Sequence, residues 1–202
     1  MPRIEFFFDL SSPWTYLAFT NIQSILKETG VEATWRPFLV GGVFNAVNPA
    51  VYQAREQMDS PRMRLSWVWL KEWAKLAGVN MAFPSPHHPV RSVAAMRFCC
   101  ALEQQPERLF DFSRASFKAY FGEQRNLDDP KVLVAIADEI GLDGQALAAQ
   151  AVSDAVKARL RTNTNEAIER GAFGSPTIFV DQHRMYFGND QLPLVRQALI
   201  NG

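Results

Sequence analysis

The chain has 202 residues, 48% of them in the hydrophobic class, which suffices for one substantial core. Lysine plus arginine balances aspartate plus glutamate at 21 each, so the footprint of a nucleic-acid or anionic-membrane binder is missing, and a neutral or small organic partner fits better. No apolar run is long enough to cross a bilayer as a helix, and the charged start Met1-Pro2-Arg3-Ile4-Glu5 is unlike a secretion signal. The two cysteines, Cys99 and Cys100, are neighbours in one helical stretch and point about 100° apart, poor geometry for bridging each other. They read as buried small hydrophobes in a cytoplasmic protein without structural disulfides.

In chain order, Ile4 to Asp9 is short, aromatic and almost continuously apolar, as a strand covered on both faces should be. Ser12 then caps a helix with Pro13 at its first position, and Tyr16, Leu17, Phe19, Ile22, Ile25 and Leu26 recur at helical spacing until Gly30. A second strand runs from Val31 to Pro37, which makes the opening a right-handed parallel βαβ unit. From Gly41 the pattern turns helical. Pro61 opens an amphipathic stretch that ends at Gly78, and Val90 to Glu103, Pro106 to Phe121, Pro130 to Ile140, Gln145 to Val152 and Asp154 to Arg170 follow. Strands resume at Thr177 to Val180 and Met185 to Phe187 around a polar turn, and Gly188-Asn189-Asp190 begins a closing helix. The expected architecture is α/β, with residues 1–40 and 171–202 forming a βαβ…ββα domain and 41–170 an inserted helical subdomain.

Two strand boundaries stand out as chemistry. Ser11-Ser12-Pro13 joins strand to helix and aims free backbone N–H groups at whatever anion lies above the serines, a setting that suits a thiolate. Ser175-Pro176 opens a β-branched strand, so Pro176 is a candidate cis peptide. Each also has a plainer interpretation, as an ordinary helix cap and an ordinary strand start. His87 and His88 have no Cys, His or carboxylate companions at ligand spacing, so no metal site is expected.

The stretches Phe8-Asp9-Leu10-Ser11-Ser12-Pro13-Trp14-Thr15-Tyr16-Leu17-Ala18, Gly171-Ala172-Phe173-Gly174-Ser175-Pro176-Thr177 and Phe187-Gly188-Asn189-Asp190-Gln191-Leu192 resemble the 2-hydroxychromene-2-carboxylate isomerase family. That family is akin to kappa-class glutathione transferases and DsbA-like thioredoxin folds. The resemblance spans nearly the whole chain and implies a thioredoxin-like fold with a large all-helical insertion, a bound glutathione and an aromatic small-molecule substrate. It makes Ser12 the residue that holds the glutathione thiolate, with Ser11 in support. It implies that the backbone beside Ser175 and Pro176 pairs with the cysteinyl unit, and that Asn189 and Asp190 hold the γ-glutamyl end. By the same resemblance, Asn48 matches a family asparagine that reaches the tripeptide from the insertion, and Arg62 stands where the family has a lysine facing a glutathione carboxylate. Family members tend to be homodimers.

Ser12-Pro13-Trp14-Thr15 occupies the place of the Cys-x-x-Cys of dithiol oxidoreductases and has no sulfur, which argues against disulfide exchange. Ser175 replaces a residue that is apolar in the family, and Leu65 and Trp69 stand where the isomerases show a tyrosine and an aspartate. Trp67, Trp69, Trp73, Phe83 and Phe44 offer planar apolar area for an aromatic ring. Three functions remain open: a glutathione-dependent isomerase, a kappa-like transferase that consumes glutathione, and a non-catalytic thioredoxin-like binding module.

Overall fold

The computed structural model describes residues 2–52 and 60–201. Four strands form one sheet, β1 (Ile4–Phe8), β2 (Ala33–Pro37), β3 (Thr177–Val180) and β4 (Arg184–Phe187), in the order β2-β1-β3-β4. β1 is parallel to β2, and β3 is antiparallel to both β1 and β4, so Phe6 stands between Trp35 and Ile178. The first helix, α1 (Pro13–Thr29), links β1 to β2. It starts where Ser12, with extended backbone, accepts the Thr15 N–H at 3.2 Å, and it stops at Gly30, whose φ of 66° is left-handed.

Between β2 and β3 the described chain is helical: α2 (Val40–Val47), α3 (Pro61–Leu76), α4 (Val93–Ala101), α5 (Pro106–Phe117), α6 (Pro130–Glu139), α7 (Gly144–Ala151) and α8 (Asp154–Glu169). Prolines open α1, α3, α5 and α6 at positions whose N–H would be unpaired anyway, and Ser60, Asp129, Asp143 and Ser153 cap α3, α6, α7 and α8. α2 runs through Gly41 and Gly42, and Gly42 lies where an added Cβ would come 3.0 Å from Thr164 Cγ2 of α8. Two sequence expectations shift. The helix expected through Phe121 ends at Phe117 and widens into a π-helical turn, Lys118–Gly122. The closing helix, α9 (Leu192–Asn201), is preceded by a separate 3-10 turn at Asn189–Gln191.

β1 is buried on both faces, as its continuous apolar run requires. Ile4, Phe6 and Phe8 face Phe19 and Ile22 of α1, Val195 and Leu199 of α9, and Phe98, Phe112 and Phe117 of the helical segment, all in one core. Phe7 turns the other way, to Phe38, Val40, Val43, Ala167 and Phe179. Over that second face the Arg170 guanidinium lies 3.8 Å from the Phe179 ring. Cys99 and Cys100 are free and buried, and burial pushes both thiols well above their ordinary range. Among the described residues, no helix is long and apolar enough to cross a membrane, and no cluster of His, Cys, Asp and Glu could hold a metal.

Candidate functional site

β1 ends at Phe8 and leaves Asp9 outside the strand, in the turn that carries the serines. Asp9 Oδ1 accepts the Ser11 N–H at 2.9 Å, and the Asp9 carbonyl accepts the Ser12 N–H at 3.3 Å, so one residue ties down the turn through both its side chain and its backbone. Ser12 Oγ then makes two contacts: it accepts from Thr15 N as the cap of α1 and donates to the Ser175 carbonyl at 3.1 Å. The Ser175–Pro176 peptide is cis.

Ser175 is bound to this turn by its side chain as well. Its hydroxyl accepts the Asp9 N–H at 3.0 Å and lies 2.7 Å from Thr15 Oγ1, which is fully buried. The hydroxyl that replaces the expected apolar side chain is therefore a bonded member of the interior. Thr15, at the last position of the four-residue turn, supplies its partner.

On the far side of Pro176, its carbonyl accepts the Gly188 N–H at 3.3 Å. Gly188 has φ 96° and ψ 165°, a conformation essentially reserved for glycine, and a Cβ there would lie 2.7 Å from Asp190 Oδ1. The Asp190 carboxylate is exposed, folded over Gly188, and takes a hydrogen bond from Gln191 Nε2 at 2.9 Å. Asn189 goes inward: its side chain is buried and accepts from Asn21 Nδ2 of α1 at 2.8 Å, while its own Nδ2 has no partner. Asn48, at the end of α2, donates to the Phe173 carbonyl at 3.0 Å and so reaches the same loop.

Thus Ser11, Ser12, Asn48, Ser175, Pro176, Asn189 and Asp190 gather around the Phe173–Pro176 loop. Arg62 does not join them through any bond; it is exposed in the first turn of α3 without a hydrogen bond or ion pair to the cluster. The proposed aromatic surface divides as well. Trp67 packs on Phe83 with centroids 4.9 Å apart, and Trp73 and Phe83 border the Leu17 cluster, but Phe44 belongs to the opposite face of the sheet. Leu65 and Trp69 point to solvent. His88 lies in the helical segment, its Nδ1 3.2 Å from Tyr120 OH.

Asp9 and Thr15 escaped the sequence reading as site residues. The available signal was an acid closing an otherwise apolar run, since a wholly buried aspartate is rare without a purpose. Burial pushes its carboxyl above the ordinary aspartate range, while donors from Ser11, Val40 and Ser92 pull the other way.

A sequence model of the DsbA-like thioredoxin domain matches residues 3–200. The chain belongs to the DsbA-like thioredoxin domain family. Within this family, it is 28% identical over 200 residues to the 2-hydroxychromene-2-carboxylate isomerase of Sphingobium xenophagum, with 98% of each chain covered. It is equally 28% identical, over 210 residues, to glutathione S-transferase kappa 1 of Rattus norvegicus, covering 98% of this chain and 91% of that one. Among solved structures it is similar to a 2-hydroxychromene-2-carboxylate isomerase, with a TM-score of 0.81 and 25% identity across 98% of this chain and 94% of the other. The DsbA-like fold, with its helices between β2 and β3, accounts for how residues from both ends of the chain meet at one turn.

Proposed function

We propose that this protein is a glutathione-dependent isomerase of 2-hydroxychromene-2-carboxylate-like aromatic compounds. The observation that carries the reading is the Ser12 hydroxyl, set at the N-terminus of α1 and touching the Ser175 carbonyl at the cis proline. The residues fit glutathione: a helix start with a hydroxyl for the thiolate, a loop carbonyl for a peptide N–H, and an exposed carboxylate at Asp190 for the γ-glutamyl ammonium. When bound, glutathione supplies a sulfur nucleophile that adds reversibly to an electrophilic ring carbon and departs unchanged after rotation about the bond made single.

The protein's part is to lower the thiol's pKa and hold it in place. Ser12 Oγ keeps its cap through a lone pair, so its single proton is free to turn from the Ser175 carbonyl toward sulfur. The carbonyl so released accepts a ligand N–H in the manner of an added strand. A helix N-terminus contributes roughly 0.3–1 kcal/mol to an anion; each ~1.4 kcal/mol lowers the thiol pKa by about one unit. Ser11 supports the turn, Asn48 braces the loop, and Asn189 sets the turn that presents Asp190. Arg62 faces a glutathione carboxylate across solvent. In this reading 41–170 is the inserted subdomain that completes the substrate side, and the protein acts in the cytoplasm as a homodimer.

The matching identity to a kappa-class relative favours one second reading, a transferase that consumes glutathione. Product analysis on a chromene carboxylate separates the two. Isomer formed with glutathione undiminished supports the isomerase; a stoichiometric conjugate supports the transferase; binding without turnover on either substrate class leaves a binding module.

A further inference from the structure

Asp9 is fully buried, and none of the hydrogen bonds to it comes from a cation. Its partners are neutral groups from four parts of the chain. The Ser11 N–H meets Oδ1 at 2.9 Å; the Val40 N–H, at the start of α2, and the Ser92 hydroxyl, at the start of α4, meet Oδ2 at 2.8 and 3.0 Å. Its own N–H reaches Ser175, and its own carbonyl takes the Ser12 N–H. Three donors aimed at two oxygens form a cage for a carboxylate: a neutral carboxyl must seat a proton among groups that already donate, and an amide cannot reverse its role. Ser92 can, because a hydroxyl both donates and accepts.

We infer that Asp9, as a carboxylate, is a positioning residue that locks the Ser11-Ser12 turn and couples it to the helical segment through Ser92, so that protonation of Asp9 slackens the turn and weakens thiolate binding at Ser12. The coupling to thiolate rests on the function proposed above, whereas the locking of the turn does not. Cys99 of α4 is the titratable side chain that faces Asp9, and its buried thiol stays neutral through the relevant range. The groups turned to Asp9 by the serine turn, α2 and the Pro176 loop are amides and hydroxyls.

The test is the ultraviolet thiolate absorbance of bound glutathione against pH for wild type, Asp9→Asn and Ser92→Ala, together with the exchange rates of the Ser11 and Ser12 amides. Ser92→Ala removes a donor to the charged form, which raises the Asp9 pKa, so binding at neutral pH persists and its acid limb moves to higher pH. Asp9→Asn is expected to weaken the thiolate signal about tenfold or more at every pH and to leave only the acid limb of the thiol's own protonation, since a charge-assisted bond is lost. An unmoved limb in Ser92→Ala, or a wild-type signal in a folded Asp9→Asn, overturns the inference. If wild type binds no glutathione, the function reading fails by itself. The amides then decide: exchange that quickens on acidification in wild type but not in Asp9→Asn sustains the lock, and pH-matched exchange in both overturns it.

Discussion

Ser12 Oγ donates to the carbonyl of Ser175 at 3.1 Å, joining residues 163 positions apart, while the same oxygen accepts the Thr15 N–H that starts α1. The hydroxyl is cap and candidate thiolate donor at once, so a simple deletion confounds two losses. Ser12→Ala is expected to cost about 1 kcal/mol of stability as a lost cap. It should also lower glutathione-dependent kcat/KM by roughly 10²-fold, the scale of a lost anion donor. Ser12→Asp restores the cap but repels a thiolate. Denaturant midpoints near wild type with activity still lost would separate the roles; full activity in Ser12→Ala would remove Ser12 from the chemistry.

Ser175 offers a contrast within the same contact. Its hydroxyl holds Asp9 N–H and Thr15 Oγ1 in the interior, while the ligand pairing proposed above uses its backbone. Ser175→Ala leaves two buried polar groups short of a partner and should destabilise by about 1–3 kcal/mol. Glutathione affinity, read by calorimetry, should stay within a few-fold. A large affinity loss at unchanged stability would show that the side chain itself meets the ligand.

At the other end of the site, Gly188→Ala forces a side chain into a conformation that costs about 1–3 kcal/mol and pushes on Asp190. The expected signature is a raised KM for glutathione with kcat little changed, because the proposed γ-glutamyl grip would bind ground and transition states alike. An equal fall in kcat and kcat/KM would place Asp190 nearer the chemistry.

Away from the site, Glu103 is almost fully shielded between Arg159 at 2.6 Å, Arg36 at 3.5 Å and the Asn163 amide at 3.0 Å. Glu103→Ala takes the shielded carboxylate from Arg159 and the Asn163 amide, while Arg36 keeps Glu5 and Glu166, and should cost about 1–3 kcal/mol. For a chain of this length that is a fall in Tm of roughly 2–12 °C. A shift below about 2 °C would mean that solvent replaces the carboxylate.

The Asp9 carboxyl titrates above its ordinary value of 3.8, chiefly through burial. A carboxyl whose folded pKa is raised contributes stability that is complete below the unfolded pKa and lost as pH climbs through the folded one, because the native state there binds more protons. Wild type should therefore lose stability relative to Asp9→Asn as pH rises from about 4 toward neutrality, measured by urea midpoints. Parallel pH dependences would show that the carboxyl titrates alike in both states. The ionised turn is then a form that the fold holds at some cost to itself, as functional sites often are.

The helix and strand order was legible because each signal is local. Ser12-Pro13 and Gly30 bound α1 through caps and a left-handed stop, and the alternation that sends Phe7 away from Phe6 and Phe8 is a property of any strand. With those motifs the serine turn and the Pro176 loop could be picked out as partners before their contact was seen. Tertiary structure decided what each side chain met. Helix α2 runs through Gly41 and Gly42, with Gly42 close against Thr164 of α8, a contact that no local pattern specifies. The Asn189 side chain is buried and accepts from Asn21 of α1, a partner 168 positions away. Asp9 looked like the last residue of a strand and is the point where β1, α2, α4 and the Ser175 loop converge. Backbone preference and periodicity act over a few residues and are written in the chain; burial, partner and protonation state depend on groups brought together from more than 80 positions away, which only the folded core fixes.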